Sequence, residues 1–220
     1  IHICSFIRDI FLTAGNEADF LVNGDGTIEM LGNVEAKKDI TMDVSGKGDI
    51  GIKNTIKSQE ESISVQVDEG DIYIGVDETP EAETVKAKKN VTIGTNLGTV
   101  YILGKTFTEN GDIAMKAGKK TYQEGAEYSN FIIRDDGQVL SGGGIGLYGR
   151  NGDIEITEDI QAKKSIVVSI AEQGNITFGR DISVTENVEL STEKGDITVG
   201  HIVNADNGMV HLDSGDGNVL

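Results

Sequence analysis

The stretch NGDIEI, residues 151–156, decides how this chain is read, because close copies of it return along the sequence. KGDIGI begins at Lys47, EGDIYI at Glu69, NGDIAM at Asn110, QGNITF at Gln173 and KGDITV at Lys194. A Gly-Asp pair repeated this often is a string of metal ligands, a set of acids for chemistry, or the punctuation of a repeating fold, and its spacing separates the three. Counted from Gly152 as zero, apolar or small residues fall at offsets 2, 4, 8, 10, 14 and 16, namely Ile154, Ile156, Ile160, Ala162, Ile166 and Val168. The same offsets from Gly174 give Ile176, Phe178, Ile182, Val184, Val188 and Leu190, and from Gly26 give Ile28, Met30, Val34, Ala36, Ile40 and Met42. From Gly48 and Gly195 the template holds through offset 10 and then runs one position late, at Ile63 and Val65 and at Val210 and Leu212.

The anchors Gly26, Gly48, Gly70, Gly98, Gly152, Gly174, Gly195 and Gly217 are separated by 22, 22, 28, 54, 22, 21 and 22 residues. The 28 reads as one repeat plus an insertion at VDETPEAE (76–83), where the only proline, Pro80, lies. The 54 reads as two repeats plus an insertion at KKTYQEGAEYSN (119–130), with the next repeat starting near Phe131. Three apolar pairs per repeat, each pair spaced by two, mean three short strands with one face inward and one in solvent. Such a repeat buries its strands only by stacking on copies of itself, each strand pairing in parallel with its equivalent about 4.8 Å along the axis. The expected fold is therefore all-β: a right-handed parallel β-helix with three short strands per 21–22-residue coil, about nine coils and two loop insertions. By that spacing it is a rod on the order of 40 Å long. Each coil buries roughly six aliphatic side chains, at ~1.5–3 kcal/mol apiece before conformational entropy is subtracted.

A β-sandwich also has short strands between turns, but it does not return the same residue type at the same offset. No long 3.6-residue periodicity supports a helical fold. The offset-10 column is small (Ala36, Ser58, Ala87, Ala162, Ala205) and reads as the inside of a tight corner. Just after it, Lys37-Lys38, Gln59-Glu60 and Lys88-Lys89 follow one another, and later Lys163-Lys164, Thr185-Glu186 and Asp206-Asn207. Basic and acidic pairs alternate as stacked neighbours should, since like charges about 5 Å apart repel and opposite ones gain roughly 0.2–1 kcal/mol. This account is preferred to a heparin or anionic-lipid site.

The chain has 220 residues and a formal charge of −18, which disfavours nucleic acid and anionic membranes as partners. It has one cysteine, Cys4, so an intrachain disulfide is impossible, and no tryptophan, so the core is aliphatic. No apolar run approaches a membrane span, and Arg8 and Asp9 interrupt the opening IHICSFIRDIFL, which does not read as a signal peptide. With no initiator methionine, the chain is expected to be a piece of something longer or a processed product. It reads as a single β-helix segment over 1–220, with an irregular first coil over 1–25.

The pattern Gly-[Asp/Asn]-[Ile/Val]-x-[Ile/Val], followed by DIQA or DISV and then SIVVSI or NVELST, resembles the haemagglutinin-type repeats of filamentous adhesins. Those large bacterial exoproteins are exported by two-partner secretion or as autotransporter passengers, and their shafts are right-handed parallel β-helices. The resemblance runs from about Gly26 to the end. It implies a secreted or cell-surface bacterial location and a role in adhesion. The two insertions depart from a plain shaft.

The candidate chemistry is weighed column by column. The residues after the anchors, Thr27, Asp49, Asp71, Thr99, Asp153, Asn175, Asp196 and Asn218, are not a calcium array, because the nonapeptide of calcium β-rolls is absent. Asp49, Asp71, Asp153, Asn175, Asp196 and Asn218 read instead as a ladder of hydrogen bonds in a turn. Arg134-Asp135-Asp136 is the one tight cluster suggesting a polysaccharide lyase or glycosidase. His211 alternates with inward positions and should face solvent, and His201 reads as a surface histidine too. The GGG at 142–144 lacks the Lys and Ser/Thr of a phosphate loop and reads as a narrowed coil. The best functional candidate is the second insertion, with Tyr122, Gln123, Glu124, Glu127, Tyr128 and Asn130, a mix suited to proteins or sugars.

The expectation is thus a shaft segment of a secreted bacterial surface adhesin presenting loops to host cells, matrix or other bacteria, with no cofactor or metal. The alternatives are a carbohydrate-active β-helix enzyme and a phage tail-fibre or self-polymerising filament module. The sequence stops at GDGNVL as a new coil begins. Its expected partners include further coils of a longer chain or end-to-end copies of itself.

Overall fold

A computed structural model describes residues 12–14, 16–75, 83–118, 129–134 and 137–220. Every named strand pairs in parallel with its equivalent in the neighbouring repeat, and no helix occurs among the described residues. The chain winds as a right-handed parallel β-helix with three faces. The first face opens after each Gly-Asp pair and carries Ile28–Met30, Ile50–Ile52, Ile72–Ile74, Val100–Ile102, Ser129–Ile133, Asp153–Ile156, Ile176–Phe178 and Ile197–Val199. The third face has nine strands, from Ala18–Val22 to Val210–Asp213, so about eight turns are complete. NGDIAM at 110 supplies the third-face strand Ile113–Lys116, so the motif marks entry to a strand and its distance from the anchor decides which face it enters.

Register is held residue on residue through the apolar pairs, and the shifts fall toward strand ends, as between Val44 and Lys47 and between Ser129 and Phe131. Ile28 pairs with Ile50, Ile50 with Ile72 and Ile72 with Val100 along the first face. The inward side chains of these columns form one continuous core of Ile, Val, Leu and Met with Phe20, Phe131 and Phe178. Stacking already holds at Ala18–Val22, where Phe20 sits over Met42, well before the first Gly-Asp copy. At the C-terminal rung the template residues Val199, Val203, Ala205 and Leu212 are only partly buried and Val210 is exposed, because no described coil covers them.

The anchor glycines stack on one another. A Cβ on Gly48 would lie 1.9 Å from the carbonyl oxygen of Gly26, and Gly70 stands in the same relation to Gly48, and Gly98 to Gly70. Gly48 and Gly70 also have φ of 155° and 156°, a region that side chains rarely adopt. Gly174, Gly195 and Gly217 repeat the arrangement further along, each within 1.9–2.1 Å of the preceding glycine carbonyl. The GGG stretch is narrow in the same sense: a Cβ on Gly142 would meet the Glu109 carbonyl oxygen at 1.9 Å.

The insertions leave the coil at corners and the stack closes across them. Beyond the first, Val85 still pairs with Ile56, and beyond the second, Phe131 still pairs with Val100 and Ile154. The second face alone is interrupted. Its first seven strands end at Ile160–Ala162, and Ile182–Val184 pairs only with Val203–Ala205.

Two substitutions test this packing. Gly70→Ala adds both a clash with a backbone oxygen and an unfavourable φ, and is expected to lower unfolding stability by about 2–4 kcal/mol in chemical denaturation. Thr106 sits in the inward column between Val85 and Val139, fully buried, and its hydroxyl has no hydrogen-bond partner. Thr106→Val keeps the shape, removes an unpaired polar group, and is expected to raise stability by roughly 1 kcal/mol in the same assay.

Candidate functional site

The corners carry most of the polar chemistry. After the anchor glycines, Asp49 Oδ1 accepts from the backbone N–H of Asp71 at 2.8 Å, and Asp71 Oδ1 from that of Thr99 at 2.8 Å. Asp153 accepts from Asn175 N–H at 2.7 Å, Asn175 from Asp196 N–H at 2.8 Å, and Asp196 from Asn218 N–H at 2.8 Å. Each side chain thus satisfies a main-chain donor one coil further on, so these acids and amides hold the turn and do not converge on a shared point. Among the described residues, no group of three or more His, Cys, Asp or Glu is placed to hold a metal ion.

Two further ladders were not read from the sequence. Between the second and third faces, Asp39 accepts from Ser62 N–H at 3.0 Å, Asn90 from Asp112 N–H at 2.9 Å, and Asp112 from Gly144 N–H at 2.7 Å. Between the first and second faces, Asn33 accepts from Thr55 N–H at 3.1 Å and Asp181 from Ile202 N–H at 3.1 Å. The signal available in the sequence was a short polar residue directly before each apolar pair, as in Asp39-Ile40, Asn90-Val91 and Asp181-Ile182.

Ion pairs add a layer between coils. Lys37 pairs with Glu60 at 3.6 Å, Lys89 with Glu61 at 2.5 Å and Lys88 with Glu109 at 2.6 Å, which accounts for the alternating Lys-Lys and acidic corners. These pairs are exposed or half-exposed and each is worth little alone.

The two insertion sites differ in how much of them is described. Residues 76–82 fall outside the described residues, as do Tyr122, Gln123, Glu124, Glu127 and Tyr128 of the second insertion, and Asp135 and Asp136 beside Arg134. The base of the second insertion lies among the described residues. Gly118 N–H donates to the Gly98 carbonyl at 3.1 Å, and a Cβ on Gly118 would lie 2.2 Å from Asn130 Oδ1. Asn130 corrects an expectation. It is fully buried and presents nothing to a partner. Its amide nitrogen donates to the Gly152 carbonyl, and its amide oxygen accepts from Arg150 N–H at 3.4 Å. A polar side chain that fills a corner widened by the departing loop must satisfy both of its ends there. Above it, Glu172 receives Arg150 Nε at 2.7 Å and the amide of Asn151 at 2.6 Å. The hydrogen bond from Arg150, followed by that from Asn151, holds the Glu172 carboxyl below its ordinary value of 4.5.

A shallow groove of about 800 Å³ runs along the outer side of the second face, over the interruption in its sheet. Phe107 and Leu140 give it an apolar end, and Gln161, Lys163, Arg180 and His201 a polar one. Arg180 is engaged with Glu158 at 3.2 Å and with the Thr157 carbonyl, and His201 stands 3.5 Å from Asp181, itself a turn acceptor. His201 and His211 are exposed, and Cys4 falls outside the described residues. No helix among the described residues is long and apolar enough to cross a membrane.

The fold defines the class, a parallel β-solenoid. Comparison with known proteins goes no further: no protein-family model, no curated protein and no solved structure matches the chain significantly.

Three carboxylates bonded across coils set a pH expectation. Glu35 is lowered by hydrogen bonds from Gln59 and then Lys57, Glu109 by that from Lys88, and Glu172 as above. A carboxyl whose folded value is depressed contributes stability above its unfolded value, and loses that contribution as pH falls through the folded value. The contribution of these three carboxylates is therefore complete above about 4.5 and is lost as pH falls through their depressed folded values. Carboxyl ¹³C titration is expected to find Glu35, Glu109 and Glu172 protonating below the ordinary glutamate value, and Arg150→Gln to return Glu172 toward it.

Proposed function

We propose that this chain is a shaft segment of a secreted bacterial surface adhesin, with attachment carried by the loops at its corners. The observation that supports this most is that the stack resumes directly after each insertion, with Val85 on Ile56 and Phe131 between Val100 and Ile154, following a register shift confined to Glu83–Val85 and to Ser129–Phe131. A scaffold whose neighbours close over an insertion tolerates variation there, which suits a rod that displays binding loops. The repeat pattern that resembles filamentous haemagglutinins adds to this reading. The formal charge of −18 favours a protein or glycan on a host or bacterial surface over a nucleic acid. Further coils of a longer chain, or copies set end to end, are the axial partners in this reading.

A carbohydrate-active enzyme is the second reading, and the groove over the second face is the observation on its side. It ranks lower because Arg180 and Asp181 are already committed to coil-to-coil contacts. A tail-fibre module ranks third, as no described feature favours it.

The test is a chain in which Gly118 is joined to Ser129, removing 119–128. Beads carrying it are expected to bind epithelial cells or matrix at least tenfold less than beads carrying the intact chain, with an unchanged β-sheet circular dichroism spectrum. Equal binding by the two chains rejects the role given to this loop. Sustained cleavage of a polysaccharide panel by the intact chain would favour the enzyme instead.

A further inference from the structure

The outer column of the first face runs Glu29, Gly51, Tyr73, Tyr101 and Ile132, one residue per coil. Tyr73 and Tyr101 stack with ring centroids 4.7 Å apart and an interplanar angle of 3°. One face of the Tyr73 ring is therefore covered by Tyr101. The other looks along the axis toward Gly51, and Tyr73 remains 36% exposed.

Gly51 is unlike the other two glycines that point outward from strands. At Gly94 a Cβ would lie 2.3 Å from Gln66 Oε1, and at Gly146 it would lie 2.7 Å from the folded-over ring of Tyr148. In both places a neighbouring side chain occupies the space that the glycine leaves. At Gly51 a Cβ would meet only Glu29 Cγ, at 3.8 Å. The space is one rung high, and the Tyr73 ring forms one wall.

We propose that this slot binds a single pyranose ring, uncharged or amine-bearing, with its C–H face stacked on Tyr73 and Gly51 as the floor. The rung spacing of about 4.8 Å admits one ring between the Tyr73 and Glu29 rungs, in the place a side chain at position 51 would otherwise take. The rim is polar. Asp49 and Asp71 stand on one side of the strand, and Lys53, ion-paired with Glu29, on the other. Those carboxylates accept hydroxyl protons and Lys53 donates, which matches a hydroxylated ring better than an apolar aromatic side chain. Three carboxylates against one lysine disfavour uronic and sulfated sugars. The Tyr73 hydroxyl donates to Asp71 at 3.2 Å, which fixes the tilt of the ring. Burial, followed by the charge of Asp71, pushes the Tyr73 phenol up to about 12, so it stays a donor throughout the neutral range. The site lies on the shaft itself and does not depend on what residues 119–128 contact.

The test is an NMR titration of the intact chain with cellotetraose, chitosan tetramer, tetragalacturonate and a heparin tetrasaccharide. Cellotetraose or the chitosan tetramer is expected to shift the Gly51 amide and the Tyr73 ring signals with a Kd of about 0.1–10 mM, the range for one stacked ring. The acidic probes should bind at least tenfold more weakly. Gly51→Thr fills the slot with a good strand residue, so it is expected to abolish the shifts while raising Tm by about 2–4 °C. Loss of binding without loss of folding separates this site from a structural role. The proposal is overturned if neither neutral nor amine-bearing probe moves these signals, if the acidic probes bind as well, or if Gly51→Thr binds as the parent does.

Discussion

Everything in this molecule follows from one constraint, that each residue must tolerate its own equivalent about 4.8 Å above and below it. Apolar positions meet that demand easily, since Ile on Ile and Val on Ile pack without a polar remainder. The anchor corner meets it only with glycine, because there the backbone of one coil runs within 1.9–2.1 Å of where the next residue's Cβ would stand. The Gly-Asp motif that repeats along the sequence is the trace of that contact. Glycine admits the close approach, and the residue beside it uses the backbone N–H that the approach delivers.

The same constraint explains how a strongly acidic chain stacks acids on acids. Asp49 and Asp71 are vertical neighbours, yet each spends one oxygen on a main-chain N–H of the following coil. In the later stretch Asn175 stands between Asp153 and Asp196 and accepts in the same way with no charge. Where charges do face each other, sign alternates, as in Lys37 with Glu60 and Lys88 with Glu109. The polar surface is therefore largely internal to the stack, and groups available to a partner have to be sought where the stack leaves a space.

The sequence made the coil, the three inward columns and the places of both insertions legible, because a period-two alternation inside a 22-residue period has few physical solutions. It hid what depends on which neighbour fills a gap. Asn130 looked like a loop residue because it is polar and adjoins polar residues, and its burial comes from the Gly152 carbonyl one coil away. The second and third ladders were hidden because Asn, Asp, Ser and Thr share their positions without a fixed motif. The interruption of the second face between Ile160–Ala162 and Ile182–Val184 has no local sequence mark, since the spacing there is regular.

The ladders share a sense. In all three corners the side chain of the earlier coil accepts and the backbone N–H of the later coil donates, as from Asp71 to Asp49, Ser62 to Asp39 and Ile202 to Asp181. The two ends of the rod are thus chemically unequal. A coil that settles on the C-terminal side finds a row of oxygen acceptors already held in place. One that settles on the N-terminal side must bring its own acceptors and orient them. In the ladders, the C-terminal side of a coil therefore presents fixed side-chain acceptors and its N-terminal side presents backbone donors.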